Sequence, residues 1–233
     1  MMKGVANTSN PLATTAGRAV GWLALIVGIA SHAIAVSLMM QHPLGGPGID
    51  FQDLGTLATP WIRQMAVPLA IVLTVQLVLI SALGWWRPVL FDSTRDRRWW
   101  VAAIATLPLL LGLSAVVRNG LADAPSSYFV GLTVTVLLVG VTEELTFRGV
   151  VLVAVRRLRT TERAALWISV TAFGLFHLGN LLLGAEIAVT LRQVVQTTLI
   201  GAILYCARRS SSTILLPIAI HAAYDWLVLQ SLF

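Results

Sequence analysis

The sequence predicts an all-α membrane protein, a polytopic transmembrane bundle of about seven helices. Of its 233 residues 57% are hydrophobic and only 11% are charged, whereas soluble domains carry about 25% charged residues. The mean hydropathy is +0.84, and apolar runs long enough to cross a bilayer recur along the chain. The short alternating segments of a membrane barrel are not seen. These observations exclude an ordinary soluble domain.

The apolar runs follow one another closely, so we expect a single transmembrane domain at 17–233 after a short polar tail at 1–16, with its motif-bearing core at 128–233. The predicted spans are 18–40, 62–85, 99–117, 128–154, 165–183, 188–207 and 212–232. Pro68 and Pro108 lie inside two of them and should interrupt the helix there.

Basic residues concentrate in the connections that this order of spans places on one side of the membrane. By the positive-inside rule that side is cytoplasmic, so the N-terminus is expected in the cytoplasm and the C-terminus outside. The net charge of +6 therefore indicates topology, and we expect the lipid bilayer and no nucleic acid as a partner. The residues on this side are Lys3, Arg18, Arg87, Arg95, Arg97, Arg98, Arg156, Arg157, Arg159, Arg163, Arg208 and Arg209.

The fourth span contains three ionisable residues, Glu143, Glu144 and Arg148. Charged side chains at this depth are costly and by default indicate function. Residues four apart share a helix face, so Glu144 and Arg148 can form an ion pair that holds the helix in place. Glu143 is rotated by about 100° from Glu144. It must find partners on other helices, which makes it the candidate for chemistry.

Later spans bring further polar groups to the same depth. His177, His221 and Asp225 lie, like Glu143, roughly 14–20 Å from the arginine-rich end of their spans at about 1.5 Å per residue. An intramembrane active site needs such a level, because water and a scissile bond must meet beside a base and an oxyanion stabiliser. His32 in the first span has no partner at this level. We interpret it as a residue that makes a helix-to-helix hydrogen bond.

These residues form three motifs that stand in a fixed order along the chain. The motifs are Glu143-Glu144-x-x-x-Arg148, Phe173-x-x-x-His177 and His221-x-x-x-Asp225. They resemble the signature of the CAAX protease and bacteriocin-processing family (CPBP), also called Abi or Rce1-like intramembrane proteases. The resemblance extends from about Tyr128 to the C-terminus, and the earlier residues match only as generic spans.

The resemblance implies a glutamate-dependent endopeptidase that acts on a peptide or protein substrate, which can itself be membrane-associated. Glu143 together with His177 would activate a water molecule, and His221 with Asp225 would line the oxyanion site. Glu144, Arg148 and Phe173 would support them. The last motif often ends in Asn. An ionised Asp225 cannot donate a hydrogen bond to an oxyanion, so it is protonated, orients His221 or has another task.

Three alternatives stay open at this point. The polar residues could supply three or four ligands to zinc, although no His-Glu-x-x-His pattern is present and we expect no metal and no other cofactor. The chain could be a non-enzymatic immunity or scaffold protein that binds a peptide or a partner in the same cavity. It could also be a proton-coupled transporter. The compact chain looks more like a bacterial member of the family that it resembles, so we expect a bacterial cell membrane as its location.

Overall fold

The computed structural model describes residues 11–41, 61–93, 96, 98–158 and 160–231, and it confirms the all-α class. Within these ranges the only β pairing is an isolated bridge between Phe91 and Thr213. The α-helices are α1 (Pro11–Gln41), α2 (Val67–Leu83), α3 (Trp86–Leu90), α4 (Trp99–Ile104), α5 (Leu107–Asn119), α6 (Ser126–Glu144), α7 (Leu152–Arg157), α8 (Glu162–Phe176), α9 (Ile187–Ser211) and α10 (Leu215–Leu229). A π-helix, Trp61–Ala66, precedes α2, a second one, Leu145–Val151, joins α6 to α7, and a 3-10 helix, His177–Leu183, extends α8.

The protein is an integral membrane protein, but the count of seven spans is not confirmed. Four helical stretches of the described chain are long and apolar enough to cross a membrane: Trp61–Leu83, Trp100–Asn119, Glu162–Leu183 and Ile187–Ser211. Two more apolar helices, Gly17–Ala33 and Leu215–Leu229, are shorter. Helix α1 begins at Pro11, inside the segment expected as a tail, and residues 1–10 lie outside the described residues.

In two of the predicted spans a proline lies where an α-helix begins. The span predicted at 99–117 consists of two helices, α4 and α5, and Pro108 lies in the first turn of α5. Pro68 lies in the first turn of α2, directly after the π-helix. Proline has no N–H to donate, so it is accommodated best where a helix begins.

The segment that carries the two glutamates forms the centre of the bundle. Every residue from Thr142 to Val155 is buried. Helices α1 and α2 pack against this region, and α10 packs along α6. Gly140 permits the close approach of α10, since a Cβ atom there would lie 3.2 Å from the Ala222 Cβ atom. This contact brings the glutamates within reach of residues on α10.

A second group of charged side chains lies where α3, α7, α8 and α9 begin or end. We call it the Asp92 cluster; its members are Asp92, Arg156, Glu162, Arg208 and Arg209. Asp92 is buried and lies 3.0 Å from Arg156 Nη2 and 3.5 Å from Arg209 Nη1. The cluster gathers three arginine-bearing connections at one end of the bundle, as the charge pattern predicts.

Candidate active site

The ion pair predicted within the central segment is present and completely buried. Arg148 Nη1 donates to Glu144 Oε1 over 2.7 Å, and neither side chain is exposed. The guanidinium of Arg148 lies 4.2 Å above the ring of Phe173. Gly201 on α9 makes room for this stack, because a Cβ atom there would lie 3.0 Å from both Arg148 Nη2 and Phe173 Cδ1.

His221 on α10 lies among three carboxylates. Its Nδ1 is 2.9 Å from Glu144 Oε1, and because a carboxylate accepts, Nδ1 is the donor. Its Nε2 lies 3.4 Å from Asp225 Oδ2 and 3.8 Å from Glu143 Oε2. The first and third motifs therefore meet around a single imidazole ring.

This arrangement extends the expectation drawn from helix geometry. Glu143 does meet a residue of another helix, His221, as predicted. The pair of Glu144 with Arg148 is not a separate structural feature, however, because Glu144 also accepts the hydrogen bond from His221. One imidazole reaches two adjacent glutamates by presenting a different nitrogen to each of them.

Phe173 connects the second motif to the other two. Its ring is edge-on to that of His177 at 5.2 Å and to that of His221 at 5.8 Å. Its carbonyl oxygen accepts a hydrogen bond of 3.0 Å from His177 Nδ1. Nδ1 therefore carries the proton, and Nε2 of a neutral His177 keeps its lone pair. Among the described residues, no hydrogen bond or ion pair joins His177 to Glu143, His221 or Asp225.

The site is closed on one side and partly open on the other. The side chains of Glu144 and Arg148 are fully buried, and those of Glu143 and His221 are 9% and 6% exposed. Asp225 is 21% exposed, and His177 is of intermediate burial. Asp225 and His177 are thus the more exposed members of the site.

Several buried polar atoms of the site have no hydrogen-bond partner among the described residues: Glu143 Oε2, Glu144 Oε2, Arg148 Nε and Arg148 Nη2. Such atoms are uncommon in folded proteins and each one calls for an explanation. Together they offer carboxylate acceptors beside cationic donors. A water molecule could use the acceptors, and a carbonyl oxygen could use the donors.

The metal alternative concerns the same side chains. In the described part of the chain no group of three or more His, Cys, Asp or Glu residues is arranged to hold a metal ion. Independence from metal is therefore a prediction that chelation must test.

A second polar group, which the sequence analysis did not identify, lies behind the glutamates. His32 is buried with its ring 4.9 Å from that of Phe176, and its Nδ1 is 3.5 Å from Thr146 Oγ1. The interpretation of His32 as a helix-to-helix hydrogen bond is therefore confirmed, and its partner on the central segment is Thr146. Gln76 on α2 is also buried and bonds to the central segment. The signal for Gln76 was present, since it is an amide within an otherwise apolar run.

The fold and this buried cluster define a class: a polytopic α-helical membrane protein with carboxylates and histidines gathered inside its bundle. Residues 125–227 match the model of a family described as type II CAAX prenyl endopeptidase Rce1-like, which confirms the resemblance carried by the three motifs. At the level of this family, the match indicates a CAAX-type intramembrane endopeptidase acting on a peptide substrate. The first 124 residues lie outside the match. No curated protein and no solved structure matched the chain.

Proposed function

We propose that this protein is an intramembrane endopeptidase that hydrolyses a peptide bond with water activated by Glu143 and His177. One observation supports this proposal above the others: Glu143 Oε2 is buried in the site without a hydrogen-bond partner among the described residues. Glu144 also has one unpartnered oxygen, Oε2, but its other oxygen, Oε1, accepts hydrogen bonds from both Arg148 and His221, whereas Glu143 accepts none of that kind in the described part of the chain. A carboxylate with a free oxygen can accept a proton from water, which is the task of a general base.

In the proposed reaction, Glu143 takes a proton from a water molecule while the water oxygen attacks the peptide carbonyl. The C–N bond then breaks, and the leaving nitrogen receives a proton from Glu143 or through His177. His177 suits this transfer because Nδ1 is bonded to the Phe173 carbonyl, which leaves Nε2 as an acceptor. No covalent enzyme intermediate is required, so no Ser or Cys nucleophile is needed.

Charge that develops on the carbonyl oxygen would be stabilised by His221. Glu144 accepts a hydrogen bond from Nδ1, and Asp225 lies beside Nε2. Each ring nitrogen therefore faces a carboxylate, which favours the positively charged form of His221 with a proton on both nitrogens. Of the roles open to Asp225, its distance of 3.4 Å from His221 Nε2 favours orientation of His221. His221 would then act on the oxyanion through its positive charge, which its two carboxylate neighbours hold in place.

Peptide mapping of membranes tests the proposal. Cells express wild-type protein, Glu143→Gln or Glu186→Gln at matched levels, and the new peptide termini are compared, with a chelator-treated wild-type arm. Glu186 is exposed at the start of α9 and serves as the control. A farnesylated peptide with a C-terminal CAAX sequence, chosen from the family description, is the first purified probe.

We expect termini that appear with wild-type and Glu186→Gln, disappear with Glu143→Gln and survive chelation. Loss of cleavage on chelation alone would make the enzyme metal-dependent. Identical maps for wild-type and Glu143→Gln would instead make the polar cluster a binding site, as expected of an immunity or scaffold protein.

We also propose a bacterial cell membrane as the location, with the N-terminus in the cytoplasm and the C-terminus outside. The arginine-bearing connections that meet in the Asp92 cluster support this orientation, because positive charge is retained on the cytoplasmic side. Alkaline phosphatase fused to the C-terminus should be active. An inactive fusion at normal abundance would show that the C-terminus lies in the cytoplasm.

A further inference from the structure

Two polar side chains from the region outside the family match contact the central segment, His32 on α1 and Gln76 on α2, and Gln76 makes the shorter contacts. It is fully buried. Val72 and Ile80, one turn before and one turn after it, are buried too, so Gln76 replaces an apolar residue in a stripe that faces the core. A polar side chain in such a stripe is costly unless it is bonded.

Gln76 is bonded to the turn that carries the two glutamates. Its Nε2 donates to the Thr142 carbonyl over 3.1 Å and also to the Thr146 hydroxyl. The Thr146 hydroxyl in turn donates to the Thr142 carbonyl over 2.9 Å. Both N–H groups of the Gln76 amide are therefore used on one short segment of a neighbouring helix.

Thr142 and Thr146 flank the two glutamates in the sequence and lie on a different face of the helix. Residues four apart share a face, whereas Glu143 and Glu144 are rotated from Thr142 by about 100° and 200°. A tether on the threonine side therefore sets the rotation at which the glutamates meet His221. This control matters here because the helix changes from α to π at Leu145, and π turns occur frequently at functional sites.

The same tether reaches toward the second motif. Thr146 Oγ1 lies 3.5 Å from His32 Nδ1, and the ring of His32 is edge-on to that of Phe176 at 4.9 Å. Phe176 is in turn edge-on to His177 at 5.3 Å. Gln76 thus lies at the start of a continuous set of contacts that ends at His177.

We propose that Gln76 is a positioning residue for Glu143: its amide, bonded to the Thr142 carbonyl and the Thr146 hydroxyl, fixes the rotation of the glutamate-bearing turn toward His221. This inference rests on the proposed function for its effect on catalysis. Gln76 does not touch the reacting atoms. It gives the first spans, which the motifs leave without a role, a specific task in the site.

The first test is kinetic and uses the full-length protein in nanodiscs. Gln76→Met keeps the length of the side chain and removes both donors, and Thr146→Val removes the hydroxyl. We expect each to lower kcat about tenfold to a hundredfold, as misplacement of a reacting group does, with KM within about twofold. The double variant should be no slower than the slower single variant, because both changes break one link.

Gln230→Met is the matched control. Gln230 is also fully buried, and its Nε2 also donates to a backbone carbonyl, that of Leu227, but it follows the end of α10. It should keep wild-type kcat. An unchanged kcat in Gln76→Met, or an equal loss in Gln230→Met, overturns the proposal. If Gln76→Met does not fold, Thr146→Val carries the same comparison.

A second readout does not depend on cleavage. Protein labelled with ¹⁵N-histidine gives imidazole signals, and those of His221 are identified by their loss in His221→Asn. We expect Gln76→Met to shift the His221 signals and Gln230→Met to leave them in place. If wild-type protein cleaves no peptide, the proposed function fails while this shift still supports the tether. An unshifted His221 signal overturns the tether even if cleavage is observed.

Discussion

The protein buries charge in two places, and the two differ in how the charges are balanced. In the Asp92 cluster, cations outnumber the single buried carboxylate: Asp92 lies within 4 Å of nitrogens of Arg156, Arg208 and Arg209. Around His221 the balance is reversed, since three carboxylates surround one imidazole and a single arginine is paired with them. Buried charges of either kind persist only when they are paired.

The two groups also differ in what their side chains bond to. Arg208 in the Asp92 cluster donates to the carbonyls of Val89 and Pro88 over 2.7 and 2.9 Å, so it ties α9 to α3. In the site, Glu143 Oε2, Glu144 Oε2 and two nitrogens of Arg148 have no such partner in the described chain. Arg208 Nε in the Asp92 cluster also lacks a hydrogen-bond partner in the described chain, but the other two nitrogens of Arg208 join helices, whereas the site holds four such atoms on neighbouring side chains.

The largest expected effect is on activity, in Glu143→Gln. Removing the general base should lower kcat about 10²–10⁴-fold. The melting temperature should stay close to that of wild-type protein, since the amide has nearly the same shape and Glu143 holds no short hydrogen bond. Cleavage of the peptide found by terminal mapping and melting in detergent measure the two quantities. A large fall in melting temperature would show that Glu143 stabilises the fold, and would contradict the contrast between the site and the Asp92 cluster.

The opposite result is expected for Asp92→Asn. Leaving buried cations without their carboxylate should lower the free energy of unfolding by about 3–5 kcal/mol. The rate per folded molecule should not change, because the Asp92 cluster is not part of the site. Urea titration and the activity of the remaining folded fraction are the measurements, and exposed Asp123→Asn is the control. A lower rate at unchanged stability would connect the Asp92 cluster to catalysis.

A smaller effect is expected for Asp225→Asn. The amide oxygen can still accept from His221 Nε2, so kcat should remain within about tenfold of wild-type. Asp225→Leu, which removes the acceptor, should lose considerably more. Steady-state kinetics of both variants give the comparison. Equal losses in the two would show that the negative charge of Asp225, and not its hydrogen bonding, is what the site requires.

The smallest effect concerns Asp96, a partly buried acid outside the spans. Hydrogen bonds from the side chain and backbone of Arg98 lower the pKa of Asp96 from 3.8 to about 2. Its stabilising contribution is therefore present above pH 3.8 and is lost as the pH falls toward 2. Asp96→Asn should melt like wild-type at pH 2 and below, and only slightly earlier at pH 6. If the melting temperatures of Asp96→Asn and wild-type protein differed more at the lower pH than at pH 6, the result would contradict the lowered pKa of Asp96.

The sequence predicts the class of fold and most of the site, because both depend on patterns that are local in the chain. Apolar runs identify membrane helices, and spacing of four residues correctly pairs Glu144 with Arg148. Depth along the spans correctly brings Glu143, His221 and Asp225 to one level. The catalytic roles of these residues stay predictions.

Other features depend on how helices are rotated against each other, which no local pattern records. The contact of His221 with both glutamates depends on how α10 packs on α6, which approach each other closely at Gly140. The tether of Gln76 joins residues 66 and 70 positions apart. The count of seven spans stays unconfirmed for a related reason, since helix breaks and short apolar helices divide several of the predicted runs in the described chain.

The complete burial of the segment from Thr142 to Val155 also constrains how the protein is made. An ionised side chain at the centre of an inserting helix costs about 2.5–3.5 kcal/mol, and α6 is not among the described helices that qualify as spans by length and composition. Helices α1 and α2 are synthesised before it, but His221 arrives only with the last helix. The two glutamates therefore gain their histidine partner only after α10 is translated.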